Sequence, residues 1–241
     1  MPTTPPNARV SAPLARFPKA SAYPIEWIME NEMGPNVLWL TEFLCEAMDL
    51  RPGMRVLDLG CGKTVSSVFL AREFGVQVWA TDLWISASDN ATRIARQGMS
   101  ESVFPIHADA RNLPFANEFF DAIVSIDAFE YFGTDATFLP AISQYLVPGG
   151  QIGIVNAGVL QEIEELPPEW PSEFSSFHSA DWWRHHWTLP RCVEVECADE
   201  LPGGRDLWLL WHQITGASGD EYLTSSAGEN LGFHRVVARR K

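Results

Sequence analysis

Arg55-Val56-Leu57-Asp58-Leu59-Gly60-Cys61-Gly62-Lys63 is the stretch whose reading decides the fold. A short apolar run, Arg55 to Leu59, ends on a glycine turn. It leads into a helical stripe of Val65, Val68, Phe69 and Phe74 that Gly75 closes. This is the pattern of a buried strand, a tight turn and a helix. Gly60 and Gly62 allow the backbone to turn with φ > 0 and bring its amides close to a ligand with no Cβ in the way. A nucleotide-like molecule belongs over such a turn.

Working outward, Val37, Leu40, Leu44 and Met48 recur at helical spacing until Pro52-Gly53 stops them. Downstream, strands are expected at Val76 to Thr81, Ser102 to His107, Phe120 to Ile126 and Gln151 to Asn156. Helices are expected around Ser88 to Gln97 and Thr137 to Leu146, with Pro140 in a first turn where its missing amide does little harm. The alternation is that of a parallel sheet with helices on both faces. After strand five the rhythm breaks. Residues 157–190 hold Pro167, Pro168, Pro171 and Pro190 among four tryptophans and three histidines, with no clear strand. Strand patterns resume at Val193 to Ala198 and Phe233 to Val237, with a helix near Arg205 to Ile214 between them. The reading is one doubly wound α/β domain over residues 21–241. A proline-rich, flexible arm at 1–20 precedes it, and an insertion at 157–190 serves as a substrate lid.

The bulk numbers narrow the function classes. With 46% hydrophobic and 20% charged residues, the 241-residue chain reads as globular. Seventeen basic against 31 acidic residues give a net charge of −14. The only basic run is Arg239-Arg240-Lys241, so no nucleic-acid partner is expected. Cys45, Cys61, Cys192 and Cys197 show no CxxC or metal-finger spacing and read as reduced thiols of a cytoplasmic protein. No run of about 18 apolar residues suggests a membrane span, and the first residues lack a signal-peptide core. The oligomeric state stays open, a homodimer included.

Doubly wound sheets bind ligands at the carboxyl ends of their strands, so the residues after each strand carry the chemistry. Gly60, Cys61 and Gly62 follow strand one. Asp82 follows strand two, 20 residues beyond Gly62, a spacing that suits a carboxylate accepting both ribose hydroxyls. His107-Ala108-Asp109-Ala110 follows strand three, where Asp109 suits an adenine amino group. Ser125, Asp127, Glu130 and Tyr131 close or follow strand four. A dinucleotide would lay its pyrophosphate on the helix amides and require a small residue where Val65 stands, and Asp58 would repel it.

With these pieces in place, the chain resembles the class I S-adenosylmethionine-dependent methyltransferases, in the broad small-molecule group that includes quinone C-methyltransferases. The matching segments are Val56–Gly62, Ala80-Thr81-Asp82, Asp109–Phe115, Phe120–Ser125 and Leu146–Gly150, which occur in the family's order over about residues 36–156. The resemblance implies a Rossmann-like sheet of seven strands in the order 3-2-1-4-5-7-6, the last antiparallel. It implies S-adenosylmethionine as cofactor. Asp58, Gly60, Cys61 and Gly62 would lie along its methionine part, with Ser125 by the amino group. Asp82 would hold the ribose, Leu83 and Trp84 would flank the adenine, and Asp109 with Ala110 would read its edge. Thr64 stands where the family often has a third glycine.

Methyl transfer mainly asks a protein to align and desolvate the acceptor, so an aromatic pocket suits it. Ten tryptophans supply such surface. Ser179 to Trp187 reads as a capped helix. Trp182, Trp183, His186 and His178 are its candidates for a substrate wall and base, against the alternative that the helix simply packs its tryptophans on the sheet. No metal site is expected from His178, His185 and His186. Asp127, Glu130 and Tyr131 are the candidate catalytic residues. Asp127 equally suits the cofactor's amino group or a loop tie, and Glu130 a helix-end charge. Tyr23 is placed to close over the cofactor. The expected activity is methylation of a small, ring-bearing or fairly apolar acceptor in specialised metabolism. Alternatives are C-methylation of a quinone or lipid precursor and a non-catalytic cofactor-binding subunit.

Overall fold

The protein is described by a computed structural model covering residues 15–168, 170–217 and 220–241. In chain order the elements are α1 (Ile25–Glu30), α2 (Val37–Cys45), β1 (Arg55–Leu59), α3 (Val65–Phe74), β2 (Gln77–Asp82), α4 (Ala87–Arg96) and β3 (Val103–His107). They continue with β4 (Phe120–Ile126), α5 (Phe138–Ser143), β5 (Leu146–Val159), α6 (Ala180–Thr188), β6 (Val193–Glu200), α7 (Gly204–Thr215), α8 (Asp220–Thr224) and β7 (Leu231–Arg240). One sheet contains all seven strands in the order β3-β2-β1-β4-β5-β7-β6. The first five run parallel, while β7 is antiparallel to both β5 and β6. Fold class, order and strand directions are those that the resemblance implied.

Strand periodicity explains how the sheet is covered. Val56, Val78, Val124 and Val155 point to one face and share a core with Leu38, Phe43, Phe69 and Trp211. Leu57, Leu59, Ile123 and Ile154 point to the other and share a core with Leu139, Ile142, Trp183 and Trp187. Strands buried on both faces read as continuous apolar runs, which is why β1 and β4 were legible. β5 and β7 extend beyond the expected limits because they pair over nine residues, from Gln151 with Arg239 to Val159 with Leu231.

Two expectations about organisation are corrected. Residues 1–14 of the expected arm lie outside the described residues, but 16–20 are packed, not loose. Phe17 is fully buried and stacks on Trp39, Arg16 pairs with Glu46, and the amides of Lys19 and Ala20 donate to Glu42 at 3.2 and 2.7 Å. Residues 157–159 and 180–188 of the expected lid belong instead to the sheet and to a helix packed on it. Ala157–Val159 complete β5, and α6 lies against β6 and β7 with Trp183 and Trp187 fully buried beside Phe129. Spaced four apart, the two tryptophans share a helix face whose apolar area is best satisfied against the sheet. Instead, α7 and α8 occupy the connection between β6 and β7. No helix among the described residues is long and apolar enough to cross a membrane.

Candidate active site

A cavity of about 420 Å³ opens at the carboxyl ends of β1, β2, β3 and β4, beside the switch point where strand order reverses. Each strand end contributes to its wall: Leu59 to Lys63, Thr81 to Trp84, Ala108 to Arg111, and Ile126 to Ala128. Gly60 and Gly62 sit at φ 76° and 51°. A Cβ on Gly60 would come within 2.6 Å of Ala128 Cβ, and one on Gly62 within 2.9 Å of Met33 Sδ, so the turn is as close as only glycine permits. Thr64, at φ 67°, takes the left-handed conformation that a third glycine would adopt. A β-branched residue is strained there.

Asp82 organises the turn. Its Oδ2 accepts the Gly62 amide at 2.8 Å, and its Oδ1 accepts the amides of Trp84 and Ile85 at 2.8 and 2.9 Å. A carboxylate has about four acceptor sites, so roughly one, on Oδ2, is left for a ligand hydroxyl. The expected grip on two hydroxyls at once is thereby reduced. Leu83 and Trp84 line the cavity, Trp84 with 67% exposure, and Trp84 meets Tyr131 edge-on at 5.6 Å. Asp109 and Ala110 line the same wall, with Asp109 Oδ1 accepting the Arg111 amide at 2.8 Å.

Asp58 lies beneath the turn and does not line the cavity. Its Oδ2 accepts the hydroxyls of Ser66 and Ser67, both at 2.6 Å, while Oδ1 is buried with no partner among the described residues. Burial pushes the carboxyl up to about 6 despite those two hydrogen bonds. Ser125 is also absent from the wall, because its hydroxyl donates to the Leu59 carbonyl at 2.7 Å and ties β4 to β1.

At the end of β4, Asp127 reaches the cavity from a left-handed backbone at φ 51°. Burial raises its carboxyl to about 6, opposed by a hydrogen bond from the Ala157 amide. Glu130 lies out of the wall with 5% exposure. The Asn156 amide, turned so that its nitrogen faces acceptors, donates to Glu130 Oε2 at 2.9 Å. Burial first, and then the Asp127 charge, push Glu130 well above the usual carboxylate range, so the two acids titrate together. Tyr131 lines the mouth with 62% exposure. Burial of its inner part raises its phenol, and the charges of Glu130 and Asp127 add to that.

The remaining candidates sit elsewhere. The Tyr23 hydroxyl donates to Glu73 at 2.8 Å and its ring packs on Trp27 and Phe69, so Tyr23 does not close over the cavity. His178, just ahead of α6, stacks with Trp182 and His186 of that helix, with ring centroids 3.7 and 4.7 Å apart, and none lines the cavity. His178 pairs with Glu162, and His186 Nε2 lies 3.1 Å from the Gly133 carbonyl. Trp183, fully buried, belongs to the core. Of the two readings of this helix, Trp183 follows the second, packing on the sheet, and aromatic density there serves the core.

The segment that does cover the cavity lies before α2. Asn31, Met33, Gly34, Pro35 and Val37 line it, and Asn36 caps α2 by accepting the amides of Leu38 and Trp39. Gly34-Pro35-Asn36 ahead of an apolar helix signals a turn and a cap. Its position over the strand ends is set only by tertiary packing. Phe132, beside Tyr131, and Arg111, within the matching segment Asp109–Phe115, also stand on the wall.

Residues 56–150 match a family of methyltransferase domains. A methyltransferase named GfsG from Streptomyces halstedii is 28% identical over 163 residues, which cover 67% of this chain and 59% of that protein. A demethylmenaquinone methyltransferase from Mycobacterium sp. (strain KMS) is 32% identical over 120 residues, covering 50% of this chain and 48% of that one. The chain thus spans about half to three-fifths of the relatives' lengths. Among solved structures, geranyl diphosphate C-methyltransferase from Streptomyces coelicolor A3(2) superimposes with a TM-score of 0.71 at 19% identity, covering 83% of this chain and 77% of that one.

Proposed function

We propose, for a chain that belongs to the class I S-adenosylmethionine-dependent methyltransferases, transfer of the cofactor's methyl group to a small, largely apolar organic acceptor in the cytoplasm. The observation that carries this reading is the glycine turn held open by Asp82 beside an acidic, apolar-rimmed cavity at the switch point. The wall suits that cofactor. Asp82, Asp109 and Asp127 outnumber Lys63 and Arg111, a balance that favours a ligand carrying a sulfonium and an amino group. Gly60 and Gly62 leave room where a Cβ would intrude.

The bound cofactor supplies an electrophilic methyl group on sulfur. Residues of the chain do the rest. Gly60 to Gly62 would bring the turn's backbone up to the methionine part, Asp82 would accept a ribose hydroxyl, and Leu83, Trp84, Asp109 and Ala110 would hold the adenine. The side of the cavity left for the acceptor is formed by Met33, Gly34, Asp127, Tyr131 and Phe132, which is apolar except for one acid. A protic acceptor would lose its proton to Asp127. Burial, opposed by the Ala157 amide, keeps that carboxylate's affinity for a proton near neutrality, and Glu130, held by Asn156, lies beside it. Asp127, Glu130 and Tyr131 therefore remain the proposed catalytic group.

An exposed apolar rim of Met33, Leu83, Trp84 and Tyr131 favours one second reading, C-methylation of a quinone or lipid precursor. Incubation with isotope-labelled cofactor and small-molecule extracts, followed by mass spectrometry, separates the two by where the label lands. Cofactor binding without label transfer to any acceptor would support a non-catalytic subunit instead. Asp82→Ala should weaken cofactor binding by calorimetry roughly 10- to 100-fold, the usual weight of hydrogen bonds to a charged group. Native affinity in that variant would overturn the ribose assignment.

A further inference from the structure

The covering segment is not anchored by the sheet it covers. Trp211 lies on α7, the helix between β6 and β7, and is 177 residues distant in sequence. Its indole Nε1 donates to the Gly34 carbonyl at 3.1 Å. Trp211 is almost fully buried, and its ring meets Trp39 of α2 edge-on at 5.8 Å, so α7 and α2 lock together at this point. From there the strap runs over the cavity. A Cβ on Gly34 would come within 2.7 Å of Asp127 Oδ2, Met33 Sδ presses on Gly62, and the Glu32 carbonyl accepts from Lys63 Nζ at 3.4 Å. Residues 32–34 therefore touch both the glycine turn and the acid at the end of β4.

We infer that α7 acts as a buttress for the cavity and that Trp211 is a positioning residue, its indole N–H holding strap residues 31–37 against Gly62 and Asp127. The physical logic is that an irregular segment loses conformational entropy when it is held, and here few backbone hydrogen bonds hold it. One hydrogen bond from a fully packed side chain fixes the strap before ligand arrives, so binding does not bear the whole ordering cost. The inference rests on the proposed reading only for the identity of the ligand.

The test compares Trp211→Phe, which keeps a ring against Trp39 and removes the N–H, with Trp208→Phe, one helical turn away and without a bond to the strap. S-adenosylmethionine affinity by calorimetry and hydrogen exchange at the Met33 and Gly34 amides are read on native protein and both variants. Trp211→Phe is expected to bind about three- to tenfold more weakly, the weight of one hydrogen bond, with faster exchange at Met33 and Gly34. Trp208→Phe should match native protein in both. Native affinity together with native exchange in Trp211→Phe overturns the inference, as does an equal loss in Trp208→Phe. If native protein fails to bind the cofactor while exchange at the strap still rises in Trp211→Phe, the anchoring stands and the cofactor reading fails. Should Trp211→Phe not fold, Gly34→Ala serves, since it leaves α7 intact and pushes the strap off Asp127. Native exchange and native affinity there would overturn the inference equally.

Discussion

Two aromatic regions of this molecule have similar composition and opposite fates. On α6, Trp183 and Trp187 are fully buried beside Phe129, and Trp182 is sandwiched between two histidines. At the cavity mouth, Trp84 and Tyr131 stand more than half exposed and meet one another edge-on. The first cluster is core, and its polar atoms show it: the indole nitrogens of Trp183 and Trp187 are buried without partners among the described residues. The second keeps its rings where a ligand can reach them. Aromatic density therefore marks a site only where the backbone leaves the rings uncovered at the strand ends.

The contrast breaks most readily at Trp183→Ala. Emptying a fully buried tryptophan site should cost about 3–5 kcal/mol of stability in chemical denaturation, while the folded fraction binds cofactor normally. A selective loss of cofactor affinity with native stability would return α6 to the substrate site.

A smaller effect sharpens the same contrast on the carboxylates, since Asp58 is sealed beneath the turn and Asp82 faces the cavity. The Asp58 carboxyl is raised from 3.8 to about 6 by burial, so the folded state binds its proton more tightly than the unfolded one. Its contribution to stability is complete below the unfolded value and is lost as pH rises through about 6. Native protein should therefore lose about 2–3 kcal/mol relative to Asp58→Asn between pH 4 and pH 7, read from denaturation midpoints at each pH. A difference that stays flat across that range would mean Asp58 is solvated in the folded protein.

The smallest expected effect is at the mouth. Trp84→Ala should leave the melting temperature nearly unchanged and weaken cofactor binding by about 1 kcal/mol, the contribution of one aromatic contact beyond its buried area. Calorimetry and a melting curve on the same sample decide it. A large drop in melting temperature would place Trp84 with α6 as a structural residue.

Much of the site was legible because local chemistry demanded particular residues. Gly60 and Gly62 had to be glycine to turn with φ > 0 under a close approach, and Asp82 had to end β2 to hold that turn. Less legible were the residues whose role depends on what lies across from them. Ser125 and Asp58 sit in the right motifs, yet one ties β4 to β1 and the other is bound by two serines. Met33 and Gly34 carried only a turn signal, and Trp211 looked like any apolar helix residue.

By itself, the sequence determined the alternation of strands and helices, the glycine turn and the acids at the strand ends. Each follows from short-range rules of periodicity, φ and spacing. Only the tertiary structure decided which aromatic helix is buried, which segment covers the cavity, and that Trp211 of α7 reaches Gly34. Those outcomes rest on contacts between residues far apart in the chain, where complementary shape and the burial of apolar area choose among pairings that local sequence leaves equal.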